Sequence, residues 1–451
     1  MPTFEEAYEL TGHGKFNNLA LLTCGFILLY VTTECLGAGY MLNGAECDLN
    51  ISVTERGFVA AATFIGVVST AIFWGYLADT YGRRRVMLPA ILGTITISIC
   101  SSLSVSFWNM FILRLLTGCL VSASIATVYA FLGELHTASH RASALAYGSA
   151  FIACSLFIMP GMAWLILPGT WSLHVSGRLS IVPWRVFMWS WCFWGALGAL
   201  GLSILPESPR YLLATKGPNA VLPVLAKMYA WNYKKKAEDF PVTEIAAAQH
   251  TRPSFKESLG KLKYMIRPPL LRCVLISHTC IFLLFMQTNA FYVWMPHIVN
   301  ELLSSNVTTS MCNIMDMKYA NKPEKPETHK CEDPVIDSRM YPISMFMGIL
   351  TAIIYVYIGF VIDRWGRKRV YCSLVMFCSM LTLFSGIVPH AYVSIAMFIP
   401  GLCGGAATSV LATLAVEVFP TSLSRSLRTR RTGRAESQYT PGLHHDRGSE
   451  N

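Results

Sequence analysis

The residues able to do chemistry in this chain are few, and most sit where water is scarce. Glu34 interrupts an otherwise apolar segment, YVTTECLGAGY. A carboxylate at that depth is costly to bury without a use. It can bind a proton or a cation, or it can stay protonated and serve a structural pair. Gly37 and Gly39 beside it permit close helix approach or local unwinding. A second polar group lies in FMQTNAFYVWMP, where Gln287, Asn289, Tyr292 and Trp294 offer amides for hydroxyl or carbonyl groups and aromatic faces for a ring. They cannot all share one wall: Gln287 and Tyr292, like Asn289 and Trp294, stand about 140° apart on a helix. Hydrogen bonds between helices and an interfacial aromatic belt are the competing use of these four. His278, earlier in the same segment, is either a proton carrier or a packed neutral imidazole. This is the chemistry of recognition and charge movement. No nucleotide-binding loop, metal-ligand cluster or catalytic triad accompanies it, so an enzyme is not expected, nor a cofactor or metal.

The elements that must position these groups are membrane helices. The chain is 53% hydrophobic and 14% charged, with a mean hydropathy of +0.45, far from the soluble average. Since a span needs about 20 apolar residues, ten spans are expected: 18–42, 57–78, 86–106, 108–133, 143–168, 184–205, 270–297, 341–362, 370–389 and 391–416. Met1–Lys15 carries Glu5, Glu6 and Glu9 and lacks the layout of a cleavable signal, so PTFEEAYEL reads as a short cytosolic helix.

Two charged loops are near copies. Gly75–Arg85 reads GYLADTYGRRR and Gly359–Arg369 reads GFVIDRWGRKR, with Gly, Asp, Gly, Arg and Arg at matching offsets after an apolar run. A repeated loop of this kind marks a transporter made of two duplicated halves. Topology alone explains the arginines but not the paired Gly and Asp spacings. Both loops, and the lysine-bearing stretch 211–269, fall on one side of the membrane. The positive-inside tendency makes that side cytosolic, with both termini. The net charge of +10 is thereby explained without nucleic acid, which is not an expected partner.

The opposite side carries residues 301–340, rich in acids, with the sequon Asn306-Val307-Thr308 and the cysteines Cys312 and Cys331. Glycosylation at Asn306 and a Cys312–Cys331 disulfide are expected, since that compartment permits both. Asn50-Ile51-Ser52 is a second sequon, close to a span; Cys47 also lies beside the membrane on this side.

These segments resemble the signature loops of the major facilitator superfamily. Arg114-Leu115-Leu116-Thr117-Gly118 is similar to its Arg-x-x-x-Gly motif. Glu134 with Arg141, Pro206-Glu207-Ser208-Pro209-Arg210, and Glu417-Val418-Phe419-Pro420-Thr421 resemble the sugar-porter and organic-cation branch. FEEAYELTGHGKF, Trp184-Arg185-Val186-Phe187, PESPRYLL and the glycosylated loop resemble the synaptic vesicle glycoprotein 2 family. The resemblance implies an all-α membrane fold of two helical bundles, with about ten of twelve spans present. It implies a secondary transporter moving a small organic solute, with or without a coupling ion, by alternating access in a plasma or vesicle membrane. The alternatives are a non-transporting membrane glycoprotein acting through partners, and an inactive truncated isoform. It also implies a charge network in which Asp79, Arg83, Arg114, Glu134 and Arg141 act in the amino half, and Asp363, Arg367 and Glu417 with Glu207 and Arg210 in the second. Relatives often carry two acids in the first span; here the upstream position is Val31.

The expected organisation is a cytosolic amino terminus (1–17), a six-helix bundle (18–205), a cytosolic linker (206–269), a partial four-helix bundle (270–420) and a basic disordered cytosolic tail (421–451). The tail replaces the two spans that the family plan would place after Glu417.

Overall fold

The computed structural model describes residues 1–176, 179–245, 268, 270–304, 310–319, 337–402, 407 and 411. The chain opens with α1 (Phe4–Glu9), held by a capping box in which Glu6 N–H donates to Thr3 and Thr3 N–H donates to Glu6. The first long helix, α2 (Lys15–Leu36), halts at Gly37 and continues as α3 (Ala38–Leu49). Next come α4 (Val53–Tyr81), capped by Ser52 and Glu55, α5 (Arg83–Ser102), α6 (Phe107–Glu134) and α7 (Ala138–Ile166). A two-stranded antiparallel hairpin, β1 (Leu173–Ser176) and β2 (Leu179–Ile181), pairs Leu173 with Ile181 and leads into α8 (Pro183–Ile204). Two short helices, α9 (Pro209–Lys216) and α10 (Pro218–Tyr233), each begin with proline, whose missing N–H costs nothing in a first turn.

The second half contributes α11 (Leu270–Ser304), α12 (Met311–Tyr319), α13 (Met340–Trp365), α14 (Arg367–Ser385) and α15 (Ala391–Leu402). Eight of the described helices are long and apolar enough to cross a membrane: α2, α4 to α8, α11 and α13. The ninth expected span corresponds to α14, which opens on Arg367-Lys368-Arg369, and the tenth begins as α15.

Large apolar side chains face outward as well as inward. On α4 the buried run Ala60, Ala62, Thr63 and Gly66 is of small residues, whereas Val68 and Ile72 are each 77% exposed. Small residues let backbones approach where no hydrophobic drive exists between helices, and large apolar ones face lipid. Gly118 on α6 shows the result: a Cβ there would lie 2.0 Å from the Thr63 carbonyl oxygen. The chain is a multi-pass membrane protein.

The twin loops repeat in backbone as well as in sequence. Gly82 has φ 108° and ψ 146°, and Gly366 has φ 82° and ψ 141°; each caps the helix that follows, α5 and α14. A positive φ suits glycine alone at little cost, so the second glycine of each loop sets the angle at which two helices part.

One expectation is corrected outright. Among the described residues, Cys312 is a free, exposed thiol, whereas Cys47 is disulfide-bonded. Cys312 lies on α12, which follows α11 directly, whereas Cys47 ends α3 in the other half. Cys331, Asn306, Glu417 and the tail 421–451 lie outside the described residues.

Candidate functional site

Glu34 and Arg114 form the innermost charged group. Arg114 donates from Nη1 to Glu34 Oε2 at 2.7 Å, and neither side chain has any exposure. Nη2 of Arg114 also donates to the Glu34 carbonyl, and the guanidinium lies 5.7 Å from the centroid of Trp191 on α8. The break in the first span makes room for that ring, because a Cβ on Gly37 would meet Trp191 at 2.2 Å. Glu34 Oε1 and Arg114 Nε are buried without a hydrogen-bond partner, and the Tyr30 hydroxyl one turn earlier lies against the Glu34 carboxylate. Glu34 is therefore sealed inside the amino-terminal bundle rather than set on an open cavity wall. Arg114, expected in the peripheral charge network, is its counter-ion. Removing one member of such a pair leaves an uncompensated buried charge.

The second group gathers at the end of the bundle that carries the twin loops. Arg83 pairs with Asp79 at 2.9 Å and with Glu134 at 3.2 Å, and lies over the Tyr211 ring at 5.5 Å. Arg141 donates from Nε to the Gly133 carbonyl at 3.0 Å, beside Glu134. Glu207 departs from its expected place. It belongs to the amino half, where it accepts from the backbone N–H of Arg84 at 3.1 Å and of Arg85 at 3.2 Å. These are first-turn donors of α5 with no partner inside the helix, and the carboxylate also meets the positive end of the helix dipole. Arg84 returns the contact, donating to the Leu202 and Ser203 carbonyls at 2.7 and 2.8 Å. Arg210 likewise serves the amino half, pairing with Glu5 at 3.0 Å and lying over Phe4. The linker folds back under the first bundle because PESPR caps that bundle's own helix. Asp363 and Arg367 fall at the end of α13 and the start of α14.

This second group includes residues that sequence reasoning missed. Tyr8 of α1 donates its hydroxyl to the Glu134 carbonyl at 2.8 Å. Asn232 of α10 donates to the carbonyls of Thr11 and Gly12 and accepts from Phe16 N–H. Thus the amino-terminal segment is fastened to the same charged end. A cluster of His13, His136 and His140 lies there too, with the His13 and His140 rings stacked at 4.5 Å. Burial lowers the pKa of His13, helped by the neighbouring His140. Burial also lowers that of His136, against the raising effect of its bond to the Leu132 carbonyl.

The four polar residues of α11 do not converge. Gln287 lines a narrow crevice with Leu374, Cys378 and Ser379, within the second half. Asn289 donates to the Phe285 carbonyl of its own helix at 2.8 Å. Tyr292 is half-buried, and Trp294 stands against Arg56 of α4, 6.0 Å from ring centroid to guanidinium. His278 is exposed and hydrogen-bonded to the Val274 carbonyl.

The sequence profile of the Major Facilitator Superfamily matches residues 22–317. The mouse synaptic vesicle glycoprotein 2C is 25% identical over 347 residues, covering 70% of this chain and 48% of that protein. The human synaptic vesicle glycoprotein 2A is 27% identical over 246 residues, covering 54% of this chain and 33% of that protein. The chain thus spans about half or less of the curated relatives it matches. In fold it is similar to the xylose transporter XylE from E. coli in a partially occluded inward-open conformation, with a TM-score of 0.61 at 15% identity, over 90% of this chain and 85% of that one. It is also similar to the nucleoside transporter NupG, with a TM-score of 0.56 at 12% identity, over 90% of this chain and 82% of that one.

Proposed function

The chain belongs to the major facilitator superfamily, and from that premise we propose that it moves a small organic solute across a membrane by alternating access between its two halves. The observation that carries this reading is the sealed Glu34–Arg114 pair. A charged pair that leaves Glu34 Oε1 and Arg114 Nε unpaired, inside a lipid-embedded bundle, is expensive to keep without a use. Protonation of Glu34 would release Arg114 from its counter-ion and change which arrangement of α2, α6 and α8 is favoured. A proton is accordingly the coupling ion of this proposal.

The loop carrying Arg83, Arg84 and Arg85 and the loop carrying Arg364, Lys368 and Arg369 are assigned to the cytosol by the positive-inside tendency. The network of Asp79, Arg83, Glu134 and Glu207 then stabilises the cytosolic end of the amino-terminal bundle. An uncharged solute is the expected cargo, because Glu34 is already neutralised by Arg114. Xylose and nucleosides, the cargoes of the two structural neighbours, belong to that chemical class.

The test is reconstitution into liposomes with a panel of sugars, nucleosides and organic cations, read as counterflow and as accumulation under an imposed pH gradient. Counterflow of at least one neutral solute is expected. Glu34→Gln should abolish accumulation while sparing counterflow. Failure of every solute in both assays overturns the transporter reading; accumulation that survives Glu34→Gln overturns the proton coupling.

A further inference from the structure

Lysines crowd one corner of the end that carries the twin loops. The chain leaves α8 at Ile204, runs through α9 and returns along α10 to the start of α2. Lys227 Nζ donates to the Ile204 carbonyl at 3.4 Å. Asn232, further along the same helix, accepts from Phe16 N–H at 3.0 Å and donates to Asn17 Oδ1 at 2.9 Å. Thus α10 crosses from the exit of one span to the entry of another. Lys234, Lys235 and Lys236 follow Asn232 closely and are exposed, as is Lys15 beside Phe16. From this placement we propose that Lys15, Lys227, Lys234, Lys235 and Lys236 form a site for the headgroup of an anionic phospholipid in the cytosolic leaflet. The inference rests on the cytosolic assignment of this end and not on transport.

Two lipid-facing stripes end at this corner. On α2, Leu22 is exposed and stands two turns after Lys15 on the same face. On α8, Phe193, Leu200 and Ile204 are exposed at helical spacing, and Ile204 is the residue whose carbonyl Lys227 reaches. The two helices pack on each other, since a Cβ on Gly198 would lie 2.7 Å from Ile27 Cγ1. A lipid tail along these stripes therefore brings its phosphate to the lysines. Aromatic rings flank them: the Lys227 ammonium lies 5.2 Å from the Trp231 ring, and that of Lys235 lies 5.7 Å from Tyr229. Such rings suit the headgroup level of a bilayer. Each ammonium has three donors, so neither contact exhausts it.

The backbone and the charge balance agree with a ligand. Lys234 has φ 55° and ψ 39°, a left-handed conformation that glycine or asparagine usually fills after a helix. The helix dipole favours a cation there, which accounts for one lysine and not for three in a row. Of the two acids that follow, Asp239 accepts from Lys236 N–H at 3.1 Å, closing a local turn. None of the five lysines forms a salt bridge among the described residues. An anionic headgroup supplies the counter-charge that the protein does not.

Native mass spectrometry of the full chain in detergent tests the site without any solute. The chain is titrated with phosphatidylserine, phosphatidylinositol bisphosphate and phosphatidylcholine, and both anionic lipids should be retained over phosphatidylcholine. Changing Lys234, Lys235 and Lys236 together to glutamine should weaken anionic-lipid binding about tenfold and leave phosphatidylcholine unaffected. Arginine at the same three positions should restore binding. Among single variants, Lys235→Gln should weaken it, whereas Lys216→Gln should not. Lys216 is exposed on the same side but precedes α10, about 24 Å away at 1.5 Å per residue. No preference for anionic lipid, or equal losses from Lys216→Gln and Lys235→Gln, overturns the site in favour of diffuse positive charge. Soluble inositol trisphosphate bound as tightly as the bisphosphate lipid would make the ligand a free phosphate and overturn the lipid assignment. Absent uptake with this lipid preference intact would remove the transporter reading alone.

Discussion

Arg114 and Glu34 meet inside the amino-terminal bundle 2.7 Å apart, with no solvent reaching either side chain. The pair joins the first and fourth spans of the half, and Trp191 of α8 closes over it. Its energetic asymmetry is the useful property. Breaking a buried pair from one side costs about 3–5 kcal/mol, while replacing both members by apolar residues of similar volume is often neutral. Glu34→Leu alone should therefore lower the apparent unfolding temperature in detergent sharply. The double variant Glu34→Leu with Arg114→Met should recover most of the loss. Additive losses, followed by intrinsic tryptophan fluorescence, would show that the two side chains are not coupled.

Glu207 gives a smaller and different signature. Its carboxylate accepts from two first-turn N–H groups of α5 and faces the helix dipole, contributions of roughly 0.3–1 kcal/mol each for charge and about 1 kcal/mol for a cap. Glu207→Gln keeps an acceptor oxygen and loses the charge; Glu207→Ala loses both. The expected order of thermal stability is wild type, then Gln, then Ala. Stability of the alanine variant equal to wild type would remove the capping role.

The histidine cluster predicts a pH dependence with a definite sign. His13 and His136 have pKa values lowered from 6.5, first by burial and then by one another or His140. The unfolded chain then binds more protons than the folded one as pH falls through this range, so stability drops with it. The contribution is complete above about pH 6.5 and is lost as pH falls below it through the lowered native values. Glu9, which accepts from Ser139 at 3.2 Å, is the nearby counter-charge. Between pH 7.5 and pH 5.5, amide exchange in residues 4–14, expressed relative to the intrinsic rate at each pH, should rise as the amino-terminal segment loosens. His13→Gln should flatten that rise; an unchanged profile would place the titration elsewhere.

How much of this was legible in the sequence depended on the range of the interaction. The twin loops were readable because a turn with positive φ demands glycine locally, and Gly82 and Gly366 both meet the demand. The break beside Glu34 was readable for a different reason: Gly37 keeps helical φ, and it and Gly39 lack the Cβ that would meet Trp191 and the Val293 carbonyl. The pairing of Glu34 with Arg114 was not, since apolar runs carry no information on which spans become neighbours. Glu207 was assigned to the wrong half because it opens the linker toward the second bundle; only the fold shows the chain turning back to cap α5. Arg56 was not singled out at all, since its contact with Trp294 spans 238 positions of sequence. Asn232 and Tyr8 were hidden likewise, being single polar residues whose partners are backbone carbonyls far away in the chain.

The cysteines supply a prediction that composition alone would have reversed. Cys312 is exposed and free, whereas Cys47, at the end of α3, is disulfide-bonded. Thiolate formation and access decide alkylation, and a disulfide sulfur does not alkylate until reduced. Treating the intact protein with iodoacetamide before reduction should therefore mark Cys312 but spare Cys47. A second, isotopically distinct alkylating agent added after reduction should mark Cys47. Buried thiols such as Cys24 and Cys35 need denaturation in the first step if they are to be excluded from the second. Digestion without reduction should recover the Cys47 peptide cross-linked and the Cys312 peptide alone. Recovery of Cys312 in a cross-linked peptide, with Cys47 labelled in the first step, would restore the pairing read from the sequence and remove the one described covalent anchor of α3.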